Sequence, residues 1–497
     1  MLLVFFVLCF KLFLIFFAFL VIYILITQLI YIKLKLYHNS IYKNKNIKTV
    51  SFVHPFCSDC GGGEKVLWRI ITSLINYYDT SKPREQNLPK LKINIISGRK
   101  DDKQALFDKL KSRFGIKLND QKNITMNKLV LEIELISMES GYMLRPRNFF
   151  TMLLQILGQF YFAIEIITKV YSDVYCDTTG LPFTYFILKY LGHAKVTTYT
   201  HYPFISKDMI YQIQNNKPGV HSRGNLSKNH YIRKIKSYYY HFILQLYKIM
   251  GNKCISFAYV NSTWTFNHMK EIWDELYKSQ KLFILYPPCS ISLYKEAAKN
   301  KDRQNIIVSF AQFRPEKNQA MQIKILSDLK KKLGIYPELE DLELHLIGGV
   351  RNSDDQKIFD GLNNYARQLG VQKYVKFLQN GTTEQITEEF SKAKIGIHTM
   401  IDEHFGITLI EMMAAGLIVV THNSAGAKND ILVSDGDMKP GFLVNNDKEY
   451  VAQIEEILIR YNEIKSQMLN ASKQRAEKFS DEAFKEQFLN RLKEFLL

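Results

Sequence analysis

Cysteine is scarce in this chain: six residues in 497, scattered rather than paired. A disulfide-stapled scaffold is thereby excluded, and a chain of this length can bury its cores without one. Acidic residues are also short. Asp and Glu number 48 against 66 Lys and Arg, which leaves a formal net charge of +18. That balance suits nucleic acid, an anionic membrane or a phosphate-bearing substrate, or it is a solvated basic surface. Internal repeats of about 20–50 residues are lacking, which excludes solenoids and propellers. Charge is nearly absent from the first 32 residues, where Lys11 is the only full one. No small-residue cleavage signature follows that apolar run, so it does not read as a removable signal peptide. About 20 apolar residues cross a bilayer as a helix, and residues 1–32 are expected to be a transmembrane anchor. Lys33, Lys35, Lys43, Lys45 and Lys48 come next. Positive flanks stay cytoplasmic, which puts the rest of the chain in the cytosol. The Asn-x-Ser/Thr tripeptides at Asn123, Asn225, Asn261, Asn380 and Asn470 then go unused.

Short apolar runs alternate with longer periodic stretches through the remainder. Thr49–Val53, Ile93–Ile96, Val174–Cys176, Lys195–Tyr199 and Lys253–Val260 read as strands, with helices such as Glu64–Leu74 and Ser262–Leu276 between them. The chain punctuates at Tyr286-Pro287-Pro288, and a Lys-rich link over Tyr294–Arg303 follows. A second series then starts: Ile306–Phe310, Leu342–Ile347, Tyr374–Phe377, Ile395–His398, Leu417–Thr421 and Phe442–Val444. This alternation predicts α/β architecture with parallel sheets. Two Rossmann-like halves in tandem would enclose a cleft, and ligands bind at the carboxyl ends of such strands. Met143–Tyr171 and Tyr238–Met250 are rich in aromatic and aliphatic residues. Each reads either as a membrane-facing amphipathic helix or as an ordinary core helix.

Two local patterns carry chemistry. The run Glu403-His404-Phe405-Gly406-Ile407-Thr408-Leu409-Ile410-Glu411 follows a predicted strand and opens a helix that Gly416 stops. A helix start offers unpaired amides and the positive end of the helix dipole, which suits a diphosphate. Gly406 permits close backbone approach, and carboxylates accept from sugar or ribose hydroxyls. The second run, Phe310 to Asn318, also leaves a strand and brings Arg314 and Lys317 together as two cations. Arg supplies a planar fork for phosphate oxygens and Lys a point charge. Cations and amides aimed at a departing diphosphate are electrostatic catalysis. Each pattern alone could equally be a capped surface helix with an ion pair.

These segments resemble the retaining family 4 of glycosyltransferases, of the GT-B fold, whose mark is E-x7-E, here Glu403 and Glu411. Within it they are similar to the enzymes that add α-1,2-mannose from GDP-mannose to dolichol-diphosphate-linked Man3GlcNAc2 or Man4GlcNAc2. The narrower likeness rests on Thr200-His201-Tyr202-Pro203, Tyr286-Pro287-Pro288-Cys289 and Gln312-Phe313-Arg314-Pro315-Glu316-Lys317-Asn318. Gly61-Gly62-Gly63-Glu64-Lys65 belongs to it too, although its spacing is not a dinucleotide fingerprint.

The resemblance implies a layout of 33–295 as an acceptor-side domain, 296–478 as a donor-side domain and 479–497 as a helix returning to the first. It implies that Arg314 and Lys317 hold the donor diphosphate and that Glu403 contacts the transferred sugar. Phe405, Gly406 and Ile407 would present amides, and Glu411 would bind the ribose. His201 would face the catalytic crevice, with Gly62 and Gly63 in the loop beside the donor. It implies substrates of GDP-mannose and a dolichol-diphosphate oligosaccharide, a place on the cytosolic face of the endoplasmic reticulum membrane and company with other lipid-linked mannosyltransferases. Nucleic acid is not an expected partner. No cofactor and no metal are expected, because Arg314 and Lys317 already supply positive charge. Asp435-Gly436-Asp437 reads as a solvated turn rather than a metal motif, and Cys57/Cys60 as an isolated pair. Another family 4 transferase, or a non-catalytic basic membrane protein, remains the alternative.

Overall fold

A computed structural model of the protein describes residues 2–42, 47–59, 61–79, 90–116, 118, 130–145, 151–215, 230–332, 340–434 and 439–496. Asp435-Gly436-Asp437, Cys60, Lys43, Lys45, Asn123 and Asn225 lie outside the described residues. Two parallel sheets organise the chain. The first has seven strands in the order β3-β2-β1-β4-β5-β6-β7, and the second six in the order β10-β9-β8-β11-β12-β13, with β2 spanning Lys90–Ser97, β3 Val130–Ser137, β6 Phe257–Val260, β7 Leu282–Ile284, β9 Glu343–Gly348, β10 Val375–Gln379, β12 Ile418–His422 and β13 Phe442–Val444. The strands that matter below are β1 (Ile47–Val53), β4 (Val174–Asp177), β5 (Lys195–Thr200), β8 (Gln304–Phe310) and β11 (Ala393–His398). In each sheet the winding reverses between two of these, β1 with β4 and β8 with β11. Loops that leave such a pair diverge to opposite faces and open a crevice.

Helices cover both faces of each sheet, so the inner strands are buried runs rather than alternating ones. β1 reads intermediate at its start and is buried from Thr49 to Val53. Apolar clusters fill the layers on either side. The helices Asp481–Leu489 and Leu492–Leu496 cross back to the first sheet. Their Phe484, Phe488, Leu492, Phe495 and Leu496 pack with Val50, Phe52 and Trp68.

The structure corrects several boundaries. Lys253 and Cys254 end the long helix His230–Cys254, so strand β6 is only Phe257–Val260. The strands Val130–Ser137 and Leu282–Ile284 complete the first sheet and were not foreseen. The 294–303 segment is packed, not a free link. Tyr294 and Ala297 are buried, and the Arg303 guanidinium donates to the carbonyls of Ala297, Phe390, Ala393 and Ala415. The first helix does not stop at Ile32 but runs unbroken from Leu2 to Tyr42. Its later part leans on the domain: Tyr31 is buried, Gln28 donates to the Leu191 carbonyl, and His38 bonds Thr49 at the edge of β1. Val21–Ile41 and Thr151–Lys169 are long and apolar enough to cross a membrane, and 39% of the second is buried.

Phe488 has no exposure and lies among first-domain residues. Phe488→Ala should therefore cost about 3–5 kcal/mol, read as a lower urea midpoint. A midpoint unchanged from wild type would mean that the returning helices are not part of that core.

Candidate functional site

The crevice is assembled from the loops at the two switch points. After β1, His54 is buried and its Nδ1 bonds Thr178 Oγ1 at 2.7 Å in the loop after β4. His54 Nε2 meets Glu64 Oε1 at 3.2 Å, and the other Glu64 oxygen accepts the Gly61 N–H at 2.7 Å. Glu64 thus staples the start of the Gly62–Asp79 helix to β1. Burial works to raise its carboxyl, but the His54 contacts and the Gly61 amide bring it below the usual range.

The glycine run at this helix start is a close approach between domains. A Cβ on Gly62 would meet Ile407 Cδ1 at 3.3 Å, and one on Gly63 would meet His201 Nε2 at 3.4 Å. His201 follows β5, and its shielded Nε2 has no hydrogen-bond partner. Desolvation, aided by His54, pushes its pKa down to about 4. The ring is neutral at physiological pH.

In the second domain, Glu403 sits in the loop after β11 and Glu411 on the Ile407–Ala414 helix. Gly406 takes φ 106° before that helix, a conformation a side chain would strain. Lys317 ends a short turn after β8 and donates to Glu403 Oε2 at 2.5 Å. His398 Nε2 bonds the same oxygen at 2.9 Å. Burial would raise the Glu403 carboxyl, yet the Lys317 ammonium and the His398 ring hold it well below the usual range. Thr399 locks the assembly by donating to the carbonyls of Lys317 and Asn318.

Arg314 differs from its expected partner. Its nearest anion is Glu316 at 3.6 Å, and its Nε is buried without a hydrogen bond. Desolvation and the nearby Arg351 lower its pKa. Lys317 therefore joins the Glu403–His398 group, whereas Arg314 sits on the side of Arg351 and Asp355. Glu411, expected to bind the ribose, is buried, and its Oε1 accepts from Lys65 of the first domain at 3.4 Å. Burial raises its pKa, with Lys65 opposing only in part.

Several participants escaped the sequence reading. Lys65 reads only as the end of the Gly61–Lys65 run and His398 only as the end of a strand, neither with a role, and Arg351 is not singled out. The His404 ring lies 4.3 Å from Tyr202 and 4.9 Å from Trp264, both of the first domain. Gly426 packs its backbone on His404 and Phe405, where a Cβ would meet three atoms at 2.6 Å. Cys57 is buried with its thiol pushed up to about 12 by burial.

Comparisons with known proteins place this geometry. Residues 47–273 match the family model described as ALG11 mannosyltransferase N-terminus, and residues 291–477 match glycosyl transferases group 1. Among solved structures, Anabaena Alr3699/HepE in complex with UDP aligns at TM-score 0.58 and 15% identity over 90% of this chain and 99% of that one. Sucrose-phosphate synthase from Thermosynechococcus elongatus aligns at 0.61 and 12%, over 90% and 98%. At those identities they establish the fold, which is GT-B. Two proteins named GDP-Man:Man(3)GlcNAc(2)-PP-Dol alpha-1,2-mannosyltransferase are far nearer in sequence. That of Dictyostelium discoideum is 33% identical over 90% of this chain and 84% of its own length. That of Homo sapiens is 33% identical over 90% and 87%. A match of this extent through both domains, with the cleft residues at the two switch points, means that the chain belongs to this family of alpha-1,2-mannosyltransferases and is a glycosyltransferase.

Proposed function

We propose that the protein transfers mannose from GDP-mannose, with retention, to form an α-1,2 linkage on the oligosaccharide of a dolichol-diphosphate acceptor. The observation that carries this reading is the meeting of the Gly62 loop and His201 with the start of the Ile407 helix. A nucleotide-sugar in that cleft would lie with its diphosphate over the helix-start amides of Phe405, Gly406 and Ile407, the Leu409 amide being given to the Gly406 carbonyl. Arg314 brings a donor without a protein partner, and Lys317 has one N–H beyond those given to Glu403 and the Met400 thioether. Glu403, held anionic, would accept from hydroxyls of the sugar. Glu411 would accept from the ribose.

Retention follows from one-sided chemistry. Glu64 is the first-domain carboxylate beside the glycine loop, and it is already committed to His54 and Gly61. The acceptor hydroxyl then attacks the anomeric carbon on the face from which the phosphate departs. The new C–O bond forms as the carbon–phosphate-oxygen bond breaks, the hydroxyl proton passes to the departing β-phosphate oxygen, and GDP leaves. Arg314, Lys317 and the helix amides stabilise that charge, and no metal is assigned a part.

The site would work at the cytosolic surface of the endoplasmic reticulum membrane, with the Leu2–Tyr42 helix as anchor. Exposed Tyr231, Ile235, Tyr238 and Phe242 form a stripe on the His230–Cys254 helix, with Arg233, Lys234 and Lys236 beside it. Such a basic and aromatic face suits a headgroup layer.

Three measurements test the assignment, each with the full chain in detergent. Lys317→Ala should slow transfer about 100-fold or more, while Glu411→Ala mainly raises the donor KM. Wild-type turnover in Lys317→Ala overturns the phosphate role. Excess chelator should leave the rate within about twofold of the untreated enzyme; a large loss restored by Mg²⁺ or Mn²⁺ refutes metal independence. Because His201 is held neutral, its contribution to stability is whole above pH 6.5 and is lost as pH falls toward 4, at most about 3 kcal/mol. Urea unfolding should show a shallower acid loss in His201→Gln than in wild type, and equal slopes would contradict the neutral assignment.

A further inference from the structure

Lys65 stands where a lysine is costly. It lies in the first turn of the Gly62–Asp79 helix, where the dipole disfavours a cation. It is 5% exposed, between buried Val66, Leu67 and Trp68 on the same helix and the opposite domain. Replacing a buried ion pair by apolar side chains is often neutral or stabilising, so packing alone does not call for it. Its anion is Glu411 Oε1 at 3.4 Å, on the other domain. That contact is longer than a tight ammonium–carboxylate bond.

The other charges nearby are taken. One turn on, Arg69 bonds Asp481 Oδ2 at 2.6 Å, which draws that carboxylate toward Arg69. Facing Glu411 are Lys65, Asp481, the Cys289 thiol and the Tyr294 hydroxyl. Of these only Lys65 is a cation. Glu411 is itself the second carboxylate of the E-x7-E pair, and its first, Glu403, has cationic and imidazole partners within its own domain.

We infer that Lys65 is a positioning residue for the donor: from the acceptor-side domain it keeps the Glu411 carboxylate ionised and aimed at the ribose hydroxyls of the nucleotide. The inference rests on the ribose role proposed for Glu411. Ribose recognition thus depends on a side chain from the first domain, next to the Gly62–Gly63 loop, and not on the second domain alone. An ionised carboxylate accepts from both vicinal hydroxyls, whereas a protonated one must spend an oxygen on its own proton.

The experiment measures binding of GDP, 2′-deoxy-GDP and 3′-deoxy-GDP to the full chain in detergent by titration calorimetry. Hydrogen bonds to a charged group set the scale, so wild type should prefer GDP over the weaker of the two deoxy nucleotides by about tenfold or more. In Lys65→Met that preference should fall below about threefold near neutral pH and recover as pH rises and Glu411 ionises. Lys65→Arg should keep most of it. A lysine that only supports the fold would weaken all three nucleotides alike. An undiminished preference in Lys65→Met, or in Lys65→Gln should the first variant not fold, overturns the inference. Glu411→Gln separates the two readings. If it abolishes the preference while the Lys65 variants keep it, the ribose role stands and the Lys65 role falls. If Glu411→Gln also leaves the preference intact, both fall.

Discussion

The structure depends on a single close approach: the helix start at Gly62 against the helix start at Ile407, where the Ile407 side chain lies on the bare glycine backbone. Two parallel sheets, each reversing its winding at one point, would otherwise be separate bodies with separate crevices. Placing the crevices mouth to mouth brings the two helix starts into one cleft. The approach is secured by contacts of different kinds. Asp430 of the second domain accepts from the Thr263 amide and hydroxyl and from Tyr286. Tyr202 and Trp264 receive the His404 ring. The last two helices cross the boundary and bury their phenylalanines in the first core.

The cleft is a managed set of charges more than a pool of positive ones. A lone buried cation or anion is expensive, so each working group is held by an opposite one. Lys317 and His398 steady Glu403, and Lys65 faces Glu411. Arg314 is the exception, with Glu316 at a distance and Arg351 repelling it. That makes Arg314 the group with the most to gain from a bound polyanion.

Much of the fold was legible because strand and helix periods alternate cleanly. The run Phe442–Val444 matches its strand to the residue, and the second series was read nearly whole. The errors have physical causes. Lys253 and Cys254 are held in the helix by partners the local pattern does not show: Lys253 pairs with Glu275 and Cys254 is buried in the first core. Leu282–Ile284 is too short to show a period. In the site, Glu403, Gly406, Arg314 and Lys317 were readable because each lies just beyond a strand. Lys65, His398 and Arg351 were not, because their meaning comes from partners distant in sequence. The Lys65–Glu411 pair spans 346 positions, and no spacing rule reaches that far.

The unbroken first helix has a mechanical meaning. Its 41 residues make a rod of about 60 Å, of which a bilayer would take about 30 Å. The remainder is fastened along the first domain through Gln28, Tyr31 and His38 rather than hanging as a tether. Were the start of this helix to cross a bilayer as proposed, the cleft would stand on a stiff mast at a set height and tilt, and a sugar chain carried by a lipid would have to arrive at that height. Reach would then act as a length filter, in which the size of the glycan on its carrier decides which of its ends can enter.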